Sequence, residues 1–159
     1  MRKVGGIAAV LLLWLCGCDS NRYTIEGRIE DLEGTVYLFS GDDLLDSARV
    51  KNGAFRFKGT AETPEMGFLS DSDDGGGTFG TTLTLEPGTI RVESDPEIPG
   101  RIIVSGTPTN TAREEFEKRQ TALIVEFHDP DTSEERREAI ETELRMLHNP
   151  TCENDCPAD

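Results

Sequence analysis

Leu45-Asp46-Ser47-Ala48-Arg49-Val50-Lys51-Asn52-Gly53-Ala54-Phe55-Arg56-Phe57-Lys58 is the stretch whose reading decides the fold class. Two short runs flank Asn52-Gly53, and the second alternates Phe55 and Phe57 with Arg56 and Lys58. A period of two sends successive side chains to opposite faces of a strand. Asparagine and glycine both tolerate positive φ, so Asn-Gly between such runs signals a tight turn and a β-hairpin. The pattern predicts paired strands around Asn52-Gly53, with Phe55 and Phe57 as candidate core residues.

The same grammar extends outward from this turn. Tyr23-Thr24-Ile25-Glu26-Gly27-Arg28-Ile29 sets Tyr23, Ile25 and Ile29 on one face, and Glu33-Gly34 turns into Thr35-Val36-Tyr37-Leu38-Phe39. Met66 to Ser70 and Phe79 to Leu85 form a further pair, Glu86-Pro87-Gly88 is a tight turn, and Thr89–Glu93 and Arg101–Ser105 follow. About eight short strands separated by turn residues, with no helix-length crossover between them, predict an antiparallel β-sandwich or open barrel. After Gly106 the composition shifts. Thr111 to about Phe127 lacks glycine and proline, with Phe116, Leu123 and Phe127 at roughly helical spacing. Asp129-Pro130 breaks it, and Ser133 opens a second run carrying Ile140, Leu144 and Leu147. One or two C-terminal helices are expected, as an antiparallel pair or as one packed helix and a stalk.

The amino terminus gives an address. Arg2 and Lys3 precede an apolar run from Val4 to Leu15, which ends in Leu15-Cys16-Gly17-Cys18. A basic start and a dozen apolar residues mark a secretory signal too short to span a bilayer comfortably. The Leu-x-Gly-Cys ending resembles a bacterial lipobox, which implies cleavage before Cys18 and acylation of that residue. The expected organisation is a signal peptide at 1–17, a lipidated tether at 18–22, a β-sandwich at 23–106, a helical segment at 107–148 and a cysteine-containing tail at 149–159. Losing Arg2 and Lys3 moves the formal charge from −15 to −17 over 142 residues. Such a charge repels nucleic acid and anionic lipid and argues against both as partners, so the lipid, not a basic patch, is expected to hold the protein to the membrane. The membrane is expected as a partner through the lipid on Cys18.

Five segments together resemble a known family. They are the Tyr23–Ile29 strand, Val36-Tyr37-Leu38, the Asp46–Gly59 stretch, Leu85-Glu86-Pro87-Gly88 and Val104-Ser105-Gly106-Thr107-Pro108-Thr109-Asn110. In this order they are similar to the domain of unknown function 4369, an all-β module of Bacteroidetes lipoproteins, over about residues 22 to 125. In many relatives the module precedes a thioredoxin-like domain of the TlpA/ResA or peroxiredoxin-like type. Such a domain would carry Trp-Cys-x-x-Cys on a βαβ frame, and this chain, ending at Asp159, has neither. The resemblance implies fold and address, and it transfers no catalytic residue.

Candidate chemistry is sparse. Cys152 and Cys156, spaced Cys-x3-Cys between Pro150 and Pro157, suit a local disulfide in an exported protein. Free or intermolecular thiols, redox exchange and, with His148, a metal site are the alternatives. Acidic neighbours Glu153, Asp155 and Asp159 raise a thiol pKa, the wrong direction for a reactive nucleophile. Asp71-Ser72-Asp73-Asp74-Gly75-Gly76-Gly77 has the carboxylate density of a calcium loop, but Thr82 stands where an EF-hand needs its last carboxylate. A flexible hairpin loop is the plainer reading. His128, Asp129 and Ser133 could be drawn as a triad, without the Gly-x-Ser-x-Gly turn that would expose a nucleophile. The glutamates at 114, 115, 134, 135, 141 and 143 read as solvated helix faces. No catalytic residue, metal site or cofactor is expected. The expectation is a non-catalytic accessory or binding module at the cell envelope, contacting a protein partner through its sheet edges or the Asp71–Gly80 loop. That partner could itself be thioredoxin-like. The alternatives are the N-terminal portion of a thiol–disulfide oxidoreductase system and a lipoprotein that binds a sugar or peptide.

Overall fold

The computed structural model describes residues 21–148. The protein is mainly β: eight strands in two sheets, followed by two helices. The strands are β1 (Arg22–Arg28), β2 (Thr35–Ser40), β3 (Asp43–Arg49), β4 (Ala54–Thr60), β5 (Glu65–Ser70), β6 (Gly80–Leu85), β7 (Gly88–Ser94) and β8 (Ile102–Ser105). Helices α1 (Pro108–His128) and α2 (Glu134–His148) complete the order. Sheet order is β4-β1-β7-β8 in one layer and β3-β2-β5-β6 in the other.

Alternation builds the core between the layers. Tyr23 and Ile25 of β1, Phe55 and Phe57 of β4, and Ile90 and Val92 of β7 are buried in one sheet. Val36, Leu38, Leu69, Leu83 and Leu85 meet them from the other, in one continuous cluster. Residues i and i+2 share a strand face, so Phe55 and Phe57 both belong to this core and touch edge to face, ring centres 6.0 Å apart. Two cross-strand pairs in β1–β4 match glycine to an aromatic: Gly27 opposite Phe55 and Tyr23 opposite Gly59. A methyl group at Gly27 would fall inside the Phe55 ring, and one at Gly59 on the Tyr23 ring. This is the physical content of the Phe-x-Phe-x-Gly spacing.

Three features depart from the sequence expectation. The Asn52-Gly53 turn forms, with φ of 53° and 73°, and Lys51 and Ala54 exchange both backbone hydrogen bonds at 2.9 and 3.0 Å. The hairpin does not continue from it. β3 pairs with β2, β4 pairs with β1, and among the described residues the Lys51–Ala54 bridge is the sole rung between the two runs. Turn chemistry is local, whereas ladder partners are set across the fold: Phe55 and Phe57 draw β4 into the core beside β1, and β3, exposed along most of its length, is held at an edge by β2. Asn-Gly here turns the chain from one layer into the other. Second, β1 and β7 pair in parallel. The intervening strands serve as the crossover, so no helix is needed. Third, α1 starts at Pro108 rather than Thr111, with proline in the first turn where a missing N–H costs nothing.

α1 packs along edge strands β8 and β6, and α2 packs on α1, so the helices form an antiparallel pair on one side of the sandwich. The buried apolar anchors of the pair are Leu123 and Ile140, and charge completes the seam. The Arg136 guanidinium holds both carboxylate oxygens of Glu126, at 2.7 and 2.9 Å, and Glu143 at 2.7 Å. Its donation lowers the Glu126 pKa against a smaller opposing effect of desolvation. Arg136→Ala is therefore expected to speed amide exchange in α2 while the strands keep their protection. Equal loss in β1 and β7 would show instead that the helix pair supports the sandwich.

Candidate functional site

The strand registers give the sandwich two distinct ends. Arg22 lies opposite Thr60 and Tyr23 beside Gly88, so β1 starts, β4 finishes and β7 starts at one end. Glu65, Leu85 and Ser105 lie there as well. The other end collects the β1–β2 loop (29–34), the β3–β4 turn (50–53), the β5–β6 loop (71–79) and the β7–β8 loop (95–101). At about 3.3 Å per residue, a seven-residue strand separates these ends by about 20 Å.

At the entry end, a buried polar latch joins α1 to the sandwich. The side chain of Thr107 at the helix N-cap makes no cap bond to its own helix. Glu86, from the β6–β7 turn and 6% exposed, takes that role. Its carboxylate accepts the Thr109 amide at 2.8 Å, the Thr109 hydroxyl at 2.7 Å and the Asn110 amide at 3.4 Å. An acid at a helix N-terminus also meets the positive end of the helix dipole. Asn110, 1% exposed, pairs with β6 as a strand residue would. Its Oδ1 accepts the Thr84 amide and its Nδ2 donates to the Thr84 carbonyl, both at 2.8 Å. Nδ2 also donates to Thr107 Oγ1 at 2.8 Å. Burial works against the charge on Glu86, but donors from Thr107, Thr109 and Asn110 outweigh it and leave the pKa below its ordinary value. In the sequence, Glu86-Pro87-Gly88 reads as a tight turn and as part of the family resemblance. A glutamate 24 residues from its amide partner carries no local signal.

The far end holds an open cleft of about 1240 Å³. Ile29, Leu32 and Val50 supply its apolar surface, and Glu30, Asp31 and Lys51 stand among its charged lining. Bonds among the lining residues fix its backbone: Ile29 N–H donates to the Gly53 carbonyl at 2.9 Å, Val50 N–H to the Gly34 carbonyl at 3.0 Å and Glu30 N–H to Ser94 Oγ at 2.9 Å. At the same end of the sandwich, the Asp71–Phe79 loop is internally cross-bonded. Asp71 accepts the Thr78 hydroxyl at 2.8 Å and the Phe79 amide at 3.0 Å, while Asp74 accepts the Ser72 hydroxyl at 2.6 Å and the Gly76 amide at 2.9 Å. The Ser72 and Gly76 donors hold the Asp74 pKa below its ordinary value. The two carboxylates brace this loop.

Each member of the imagined triad has a local task. His128 Nδ1 pairs with the Ile124 carbonyl at 2.8 Å, Asp129 Oδ1 accepts the Asp131 amide at 2.9 Å, and Ser133 Oγ accepts the Arg136 amide at 3.3 Å. Among the helix glutamates, Glu115, Glu134, Glu135 and Glu141 are exposed as a solvated face would be, whereas Glu114 holds Arg101 and Glu143 holds Arg136. Cys18, Cys152 and Cys156 lie outside the described residues.

A family model described as a domain of unknown function (DUF4369) matches residues 23–112. The chain belongs to that family. The matched span covers the sandwich and ends two residues past Asn110, so the DUF4369 unit closes on the latch. Most of α1 and all of α2 lie beyond it. No curated protein matches the chain. Nothing in the family description points to catalysis.

Proposed function

We propose that this DUF4369 protein is an exported lipoprotein, anchored through Cys18, that acts as a non-catalytic binding module at the cell envelope. One observation carries the reading: the chain enters the sandwich at one end, while the cleft and four connecting loops gather about 20 Å away at the other. Loops held on a rigid sheet are where binding residues concentrate. A module tethered beside Arg22 keeps the β5–β6 loop of the other end clear of the anchor and open to a partner.

Cys18→Ser is expected to move the protein from the membrane fraction to the soluble envelope fraction. Continued sedimentation with membranes would overturn the lipid anchor. A photo-crosslinking residue at Asp73, on the far end, is expected to capture an envelope protein in cells, and one at Thr60 is not. Equal capture at both would remove the assignment of the binding end. A small ligand in the cleft is the second reading, favoured by the apolar surface at Ile29, Leu32 and Val50 among charged neighbours.

A further inference from the structure

The alternation that sends Tyr23, Ile25, Phe55, Phe57, Ile90 and Val92 inward sends a different set outward from the β4-β1-β7-β8 sheet. Register places Lys58, Thr24 and Thr89 in one row, and Arg56, Glu26, Arg91 and Ser105 in the next. Ala54, Arg28, Glu93 and Ile103 form the row beyond, and Arg22 opposite Thr60 leads them all at the entry end. Arg28, Arg56, Lys58 and Arg91 are exposed. The face thus holds five of the 14 basic residues beyond the signal segment and two of the 31 acidic ones. One of those two, Glu26, is bound to Arg56 at 3.3 Å. In a strongly acidic protein, this one sheet surface has the opposite sign.

We infer that the outward face of this sheet lies against the anionic phosphate surface of a lipid bilayer. Guanidinium and ammonium groups set among the hydroxyls of Thr24, Thr60, Thr89 and Ser105 suit phosphate. The face has no aromatic side chain to enter the hydrocarbon. Position selects the bilayer over other polyanions. Arg22 is four residues from Cys18, a reach of at most about 14 Å, so the anchor assigned under the proposed function holds this face at the headgroups. An acyl anchor and a polybasic patch reinforce one another, and tethering supplies the high local concentration that a weak patch requires. Repulsion of the acidic remainder turns the same face downward, leaving the β5–β6 loop of the opposite sheet toward solvent. Net charge alone pointed away from anionic lipid; the distribution of that charge over the sheet reverses the conclusion.

The lysines beyond the signal segment, Lys51, Lys58 and Lys118, provide the test. The lipidated full chain, purified from its membranes, is reconstituted into vesicles of phosphatidylcholine alone or with a third phosphatidylglycerol. Amine acetylation is then followed by mass spectrometry. Lys58 is expected to react about fivefold more slowly in the anionic vesicles and to recover in 0.5 M salt, as a screened surface contact would. Lys118 should react alike in both. Arg28→Glu/Arg91→Glu should abolish the protection while the protein still floats with the vesicles. Equal Lys58 rates in both vesicles overturn the inference and leave the anchor standing. Failure to float with either vesicle overturns both. Protection by soluble dextran sulfate but not by vesicles would reassign the face to a polyanionic glycan.

Discussion

Phe57→Ala is expected to cost about 3–5 kcal/mol, read as a shift in the denaturant midpoint with little change in slope. Phe57 is 2% exposed, sits opposite Ile25 and touches Phe55 edge to face. Removing the ring leaves a cavity between the two sheets. Against a total stability of about 5–15 kcal/mol for a domain, this loss brings the fold near its limit. A cost under about 1 kcal/mol would show that the core collapses around the gap. Gly27→Ala probes the same sheet from the opposite direction. Its methyl group collides with Phe55, and overpacking of this kind costs about 1–3 kcal/mol. In a Phe55→Ala background that cost should vanish, because the colliding ring is gone. If the two costs simply add, the ring does not rest on Gly27.

The second large effect is at the latch. Asn110→Ala strips the Thr84 amide and carbonyl of their side-chain partner. A buried group left unsatisfied costs about 1–3 kcal/mol. α1 should lose amide protection before the strands do, and simultaneous loss would make the latch part of the sandwich nucleus. Glu86 adds a pH dependence. Its folded-state pKa is lowered from the ordinary value of 4.5, so its contribution is complete above that value and fades as pH falls through the folded-state pKa. Glu86→Gln should lower stability at neutral pH and flatten the loss as pH falls below the ordinary carboxylate value of 4.5. An unchanged acid profile would assign that loss to other carboxylates, among them Asp95, whose pKa the Arg101 ion pair also lowers.

Much of this architecture is legible without coordinates, for a definite reason. Strand alternation and turn residues are short-range properties, so Tyr23–Ile29, Ala54–Lys58 and Thr89–Glu93 are visible as half-buried strands, and Asn52-Gly53 as a turn with positive φ. The order of segments that resembles the family is likewise a property of the string, and the matched span of 23–112 agrees with it. The pairing of those strands is not. Local rules join β3 to β4 because they are adjacent in sequence, yet β4 buries Phe55 and Phe57 in one sheet while the mostly exposed β3 pairs as an edge strand with β2 in the other.

The candidate surfaces divide along the same line. The apolar leader, the cysteine at position 18, the eight-strand pattern and the acidic total belong to the sequence alone, because each depends on neighbours or on a sum. The latch of Glu86 with Thr109 and Asn110, the cleft between three loops and the basic face of one sheet exist only after folding. They join residues more than twenty positions apart, and the parallel register of β1 with β7 brings Arg28 and Arg91 onto one surface. Hydrogen bonds and local fields act over a few ångströms of space, and only the tertiary structure decides which residues share them.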